Sequence, residues 1–409
     1  TVQAIRAIPV VGHDAAAVIY CLLGLAVVAV LGLMGPRLRT LWAALATAAV
    51  MAVVVFYLSV WPKPFPDGIP VAVYSSWAVG VFAVMGVVFA TRWRRLALAA
   101  VVVPAVALAY LGTNLEYQQY PTVGSFRPVP VSVNMTLEQF EQSTSAPTLN
   151  GREVGALVTV PAAPMRDAVA YVPPAYWHGA TLPVMVLLSG SPGTPMGWFT
   201  DGQATQTADD FQQDHDGASP IVVGVDGTGS TTGNPACVDG PNLKMQTYLA
   251  EDIPALLKDS FRVNPDQSTW TIGGLSYGGT CSLQVVTNNP HAYGTFLDFS
   301  GEPEPTVGTH EKTVDELFGG DEDAFLAVNP STLLARAAGS DTYRGIAGRF
   351  VAGERDPMSS AALPHLNHLA QAAGMRTTYT SLPGGHSYQV WRVALRENFD
   401  FAAQRGGIR

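Results

Sequence analysis

The sequence predicts an α/β protein, a doubly wound and mostly parallel sheet preceded by a four-helix transmembrane bundle. Three observations carry this. Four apolar runs crowd the first 115 residues, strand-like runs alternate with helix-compatible stretches from residue 151 onward, and a Gly-x-Ser-x-Gly turn at 274–278 stands between a strand and a helix. The expected organisation is four spans over 1–115, a connector over 116–150, and a catalytic domain over 151–409 with a lid-like insertion around 301–348.

The apolar runs are 15–34, 41–60, 70–90 and 96–111. A span needs about 20 residues to cross about 30 Å of hydrocarbon, which the first three reach and the fourth reaches only with its flanks. None holds an Asp, Glu, Lys or Arg in its interior, so nothing marks an ion path and a transporter is not expected. Arg37 and Arg39 lie in the first turn and Arg92, Arg94 and Arg95 in the third, against Lys63 and Asp67 in the second. The positive-inside bias therefore places the Arg-rich turns in the cytoplasm, and both termini and the catalytic domain outside the plasma membrane. Trp42, Trp61 and Trp93 fall near run ends as an interfacial belt would, while Trp77 lies deeper. A cleaved signal peptide is the alternative for the first run, but its upstream cation is Arg6 alone and three more spans follow.

Residues 1–115 carry seven Lys/Arg against two Asp/Glu, leaving 16 against 30 for the rest of a chain whose net charge is -9. The outer domain is thus strongly acidic, which argues against a nucleic-acid partner and suits a cationic group. Of three cysteines, Cys21 sits inside the first run, whereas Cys237 and Cys281 lie in the domain assigned to the outside, where a disulfide between them is expected. No cofactor or metal is expected. Gly227 and Gly229 invite a dinucleotide motif, but its third glycine would fall on Thr232, and His365 with His368 read as a solvated helix face.

Along the outer domain, strands are predicted at 154–160, 167–172, 182–188, 220–225, 269–272, 295–300, 349–352 and 376–382. Helices are predicted at 205–213, 244–261 (broken by Pro254), 281–286 and 361–373. The pentapeptide alone would match many Gly/Ser-rich turns. Between a strand and a helix it meets the context of a nucleophile elbow, with Ser276 in a strained turn that leaves no room for a flanking Cβ. Catalysis by a serine further needs an imidazole to take its proton and a carboxylate to hold the imidazole's tautomer. Asp356 and His386 each follow a predicted strand, and Ser276, Asp356, His386 is the α/β-hydrolase order; Glu354 competes for the acid's place. The glycine-bearing turn after 182–188 would supply one oxyanion amide from Ser191, and Tyr277 the second.

From about residue 151 the chain resembles the esterase D group of α/β-hydrolases, and especially its mycolyltransferase branch. The resemblance rests on Leu187–Ser191 with Trp198, the stretch 248–257, the elbow Gly-Leu-Ser-Tyr-Gly, and 386–391 (His-Ser-Tyr-Gln-Val-Trp). It implies the triad and oxyanion positions just named and an acyl pocket near the lid. It departs where mycolyltransferases hold trehalose with an Asp and an Arg, since Ser189 and Pro192 occupy those places.

The function expected is a membrane-anchored serine esterase acting on an ester of a membrane or cell-envelope lipid. Glu302 and Glu304, with Trp198 and Tyr388, are the candidate substrate contacts. The two glutamates could attract an ammonium group, as on an aminoacyl ester of phosphatidylglycerol, although solvated lid residues would look the same. The alternatives are a mycolyl-type acyl transferase and, in another class, an inactive membrane scaffold.

Overall fold

The computed structural model describes residues 2–35, 37–65 and 68–409; Asp67 and the side chain of Arg37 lie outside them. The chain forms two compact units, Thr1–Pro128 and Val129–Arg409.

The first unit holds a short helix, Val2–Arg6, and four long ones, His13–Met34, Arg37–Ser59, Val71–Phe89 and Arg94–Tyr117. These four are long and apolar enough to cross a membrane, with mean hydropathy from 1.9 to 2.7 in their most apolar windows. The fourth starts at Arg94 and runs on past the apolar stretch through Asn114 to Tyr117, so its flanks supply the missing length. Large apolar side chains such as Leu25, Val53 and Val103 point outward from the unit. Inside it, the third and fourth helices approach on small residues: Gly80 faces Ala109, and Gly112 lies against Ser76.

In the second unit the strands are β1 (Ser132–Thr136), β2 (Thr148–Leu149), β3 (Arg152–Glu153), β4 (Gly155–Val160), β5 (Ala168–Val172), β6 (Val184–Leu188), β7 (Ile221–Val225), β8 (Thr271–Leu275), β9 (Thr295–Phe299), β10 (Ala347–Gly353) and β11 (Arg376–Leu382). β2 and β3 form a small hairpin; the other nine make one sheet in the order β1-β4-β5-β7-β6-β8-β9-β10-β11. β5 runs antiparallel to both neighbours, and every other pairing is parallel. The strands β5 to β9 are buried along their whole length, which is why their sequences are continuous apolar runs and not alternations. Side chains alternate between two layers. Val184, Val186, Ile272 and Phe296 enter one core, while Met185, Leu187, Leu275 and Leu297 enter the other.

Three expectations change. The connector drawn over 116–150 is shorter, because β1 and the helix Leu137–Gln142 already belong to the second unit. β1 pairs on one side only and is half-exposed, so it carries no continuous apolar run that would advertise it. The helix 244–261 is not broken at Pro254. A π-helical stretch, Tyr248–Asp252, precedes the helix Ile253–Ser260, and the proline falls in the latter's first turn, where its missing N–H costs little. Finally, the lid-like insertion expected around 301–348 is anchored at its far end. Its last helix, Pro330–Arg336, packs on the helices Tyr277–Asn288 and Pro357–Ala372 and buries Leu334 in the main core.

Candidate active site

Ser276 directly follows β8 and caps the start of the helix Tyr277–Asn288 with φ 53°, a positive value that a non-glycine residue adopts only where its surroundings impose it. They do so here. A Cβ on Gly274 would lie 2.6 Å from the carbonyl oxygen of Leu188, and one on Gly278 would strike that same oxygen, so the turn has no room for side chains on either flank. The amide of Ser276 donates to the carbonyl of Phe299 at 2.8 Å, tying the elbow to β9.

From this fixed point the side chains form a line. The Ser276 hydroxyl donates to Nε2 of His386 at 2.9 Å, and with Nδ1 protonated that ring donates to Oδ2 of Asp356 at 2.8 Å. Asp356 is buried, and its other oxygen accepts the amide of Ser359 as the N-cap of Pro357–Ala372. Glu354, the rival acid, is exposed. Trp391 meets the imidazole edge-on with centroids 5.1 Å apart, bracing the ring from the helix that follows it.

The turn after β6 comes up beside the nucleophile, so close that a Cβ on Gly190 would lie 3.4 Å from Cβ of Ser276. Ser191 thus lies in a turn that approaches the serine, and Tyr277 follows the serine directly in the chain. The turn is laced to the loop that follows β7: the Ser191 hydroxyl donates to Gly233, the Gly193 amide to Thr231 at 2.9 Å, and the guanidinium of Arg166 to the Gly193 carbonyl at 2.9 Å. Arg166 also forks onto Asp226 through Nε and Nη2, and reaches Thr228. Burial works against the charge of Asp226, but Arg166 and the amides of Thr228 and Arg166 outweigh it and hold the carboxyl below its ordinary value. Cys237 and Cys281 are joined in a disulfide, which fastens the far end of the same loop to the elbow helix.

The other candidates separate. Trp198 does not face a substrate: it is fully buried, its indole N–H donates to Leu188 at 2.8 Å, and its ring meets Phe299 edge-on. A buried indole needs an acceptor, and the carbonyl at the end of β6 supplies it, so Trp198 supports the floor beneath the turn. Glu304 accepts from Nδ1 of His310 at 2.9 Å, and the other ring nitrogen of His310 reaches Glu322. These hydrogen bonds, that to Glu304 first, raise the pKa of His310. Glu304 is therefore engaged with the helical segment beyond it, whereas Glu302 is buried (4% exposed) and its amide donates to Thr280 on the elbow helix. Tyr388 stacks edge-on with Trp391, two residues past the imidazole. His365 and His368 lie exposed on their helix.

Arg166, Asp226 and Asp298 stood outside every motif. Asp298, fully buried on β9, accepts the amide of Gly301, and burial pushes its pKa up to about 7. Their one sequence signal is position, since Asp226 directly follows a predicted strand and Asp298 interrupts another.

Residues 165–401 match the Esterase family. An uncharacterized protein of Corynebacterium glutamicum is 55% identical over 361 residues, covering 85% of each chain. Among solved structures, a ferulic acid esterase superposes with a TM-score of 0.51 at 17% identity, covering 58% of this chain and 92% of its own. MPT51 of Mycobacterium tuberculosis gives 0.43 at 18% identity, over 63% of this chain and 100% of its own. With the sheet order, the family match shows an α/β-hydrolase fold.

Proposed function

Because this chain belongs to the Esterase family, whose members hydrolyse esters or transfer acyl groups, we propose that it is a membrane-anchored serine esterase acting on a lipid ester at the outer face of the plasma membrane. The observation that carries the mechanism is the hydrogen-bonded line from Ser276 through His386 to Asp356. In this mechanism Ser276 Oγ attacks the ester carbonyl as its proton passes to Nε2 of His386. Asp356 holds the imidazole in the tautomer that can accept it and stabilises the imidazolium that forms. The amides of Ser191 and Tyr277 receive the oxyanion, each such donor being worth roughly 3 to 4 kcal/mol. His386 then returns the proton to the leaving alcohol, and water repeats the sequence to release the acid.

Four apolar helices on one chain support a substrate that lies in the same bilayer. The finer reading is an aminoacyl ester of phosphatidylglycerol, whose ammonium would stand next to the scissile bond. Its support is Glu302, a carboxylate-bearing side chain buried beside the elbow helix, in a unit that carries the chain's negative charge. Purified protein in detergent, given alanyl-phosphatidylglycerol and a neutral acyl ester of similar size, tests both levels. Ser276→Ala should abolish both activities, and Glu302→Gln should depress cleavage of the aminoacyl lipid selectively. An unchanged preference removes the aminoacyl assignment; undiminished activity of Ser276→Ala removes the serine mechanism.

A further inference from the structure

We propose that Arg166 is a positioning residue for the Ser191 amide, acting through the Gly193 carbonyl. The proposal rests on the serine-esterase mechanism, in which that amide meets the oxyanion. The Tyr277 amide needs no such help, because it is built into the first turn of a helix whose elbow is clamped by backbone on both sides. The Ser191 amide belongs to a loop. A donor there is useful only if it is already aimed at the place where charge develops, since re-aiming it during the reaction would consume the stabilisation it gives.

Ser189 Oγ braces the turn from within by donating to the Thr194 carbonyl at 2.6 Å, and three further contacts tie it to the segment 226–233 or to Arg166. Ser191 Oγ donates to Gly233, Gly193 N–H to Thr231, and Arg166 Nη1 to the Gly193 carbonyl. Arg166 serves both parties. While Nη1 holds the turn, Nε and Nη2 hold Asp226 and Nη2 also reaches Thr228 Oγ1 at 2.9 Å, which in turn donates to the carbonyl of Ser230. Asp226 accepts the amides of Thr228 and Gly229 at 3.0 and 2.9 Å, so the guanidinium sets the start of the very loop that carries Thr231 and Gly233. Only a planar fork with several donors at fixed angles can join a carboxylate, a hydroxyl and a carbonyl in this way. A lysine ammonium at the same place reaches one of them well.

If Arg166 merely stabilised the fold, its loss would lower the melting temperature and leave turnover per folded molecule unchanged. If it aims the amide, its loss weakens the transition state more than the ground state, because ester binding does not depend on the oxyanion contact. The experiment compares Arg166→Lys with the wild type on a short-chain p-nitrophenyl ester, together with the inhibition constant of a boronic acid that forms a tetrahedral adduct on the serine. The expected result is a fall in kcat of about 10- to 100-fold, with KM within about twofold and boronate affinity lost in parallel. Should Arg166→Lys not fold, Thr228→Val, which removes the hydroxyl partner and leaves the Asp226 pair, decides the matter by a smaller fall in kcat at constant KM. Wild-type kcat and boronate affinity in a folded variant overturn the proposal. Failure of the esterase mechanism itself is seen separately, as activity or boronate binding that survives Ser276→Ala.

Discussion

The phenol of Tyr277 donates to the carbonyl of Gly227 at 2.7 Å and accepts the amide of Cys237 at 3.0 Å, so the residue directly after the nucleophile spans the loop whose middle holds the Ser191 turn. Its backbone adjoins Ser276 while its side chain braces that loop. Burial raises the pKa of this phenol above its ordinary value, and it stays a neutral donor at any working pH. Tyr277→Phe leaves a buried amide and a buried carbonyl without this partner. We expect a loss of about 1 to 3 kcal/mol in stability, read by thermal or urea denaturation.

Asp356, and not the exposed Glu354, is the carboxylate hydrogen-bonded to His386. Asp356→Asn keeps the shape but offers the wrong tautomer to His386, and kcat should fall by up to about 10⁴-fold. Glu354→Gln should leave steady-state kinetics on the same ester unchanged.

Asp298 gives a pH dependence with a definite sign. Its carboxyl titrates near 7 in the fold, against 3.8 as its ordinary value, because burial disfavours the charge. Between those values the native state holds a proton that the unfolded chain has released, so stability is full below about pH 4 and falls as pH rises through 7. Asp298→Asn cannot ionise. The melting temperature of the wild type relative to this variant should therefore drop between pH 4 and pH 8, and an equal slope in both proteins would refute the assignment.

Gly278→Ala places a methyl group on the carbonyl oxygen of Leu188, a backbone atom at the end of a strand flanked by β7 and β8 and already accepting the Trp198 indole N–H. We expect loss of the folded elbow, visible as insoluble protein or a melting point lowered by at least about 10 °C, since main chain must move to admit it. Gly319→Ala is the control for glycine loss at a helix end. Its site is open, and only the cost of its positive φ should appear.

The chemistry was legible where it is written locally. The elbow announces itself because a sharp strand-to-helix turn demands small flanks, and His386 and Asp356 lie in turns that follow strands with a clear apolar pattern. What escaped is what depends on contacts distant in sequence. Arg166 meets Asp226 and Gly193 only through the sheet order, which sets β5 next to β7 and β7 next to β6. Trp198 looked like a substrate contact because aromatic residues near a catalytic turn serve either as wall or as floor, and sequence does not say which side of the backbone they take. Glu302 and Glu304 look equivalent in a Glu-Pro-Glu-Pro run, but His310 engages Glu304 while Glu302 is buried beside the elbow helix. β1 was hidden for the opposite reason, as an edge strand with too little burial to leave a pattern.

The Cys237–Cys281 bond encircles the stretch that carries the nucleophile, since Ser276 lies between its two ends. Synthesis runs from the amino end, so both thiols are present before Asp356 and His386 have been made, and the link can close on a chain that is still inert. Time and place of manufacture thereby become part of the enzyme's chemistry. A chain completed where thiols are kept reduced carries two buried sulfhydryls where an exported one carries a covalent strap. Preparations from the two routes, identical in sequence, are different starting materials for any assay.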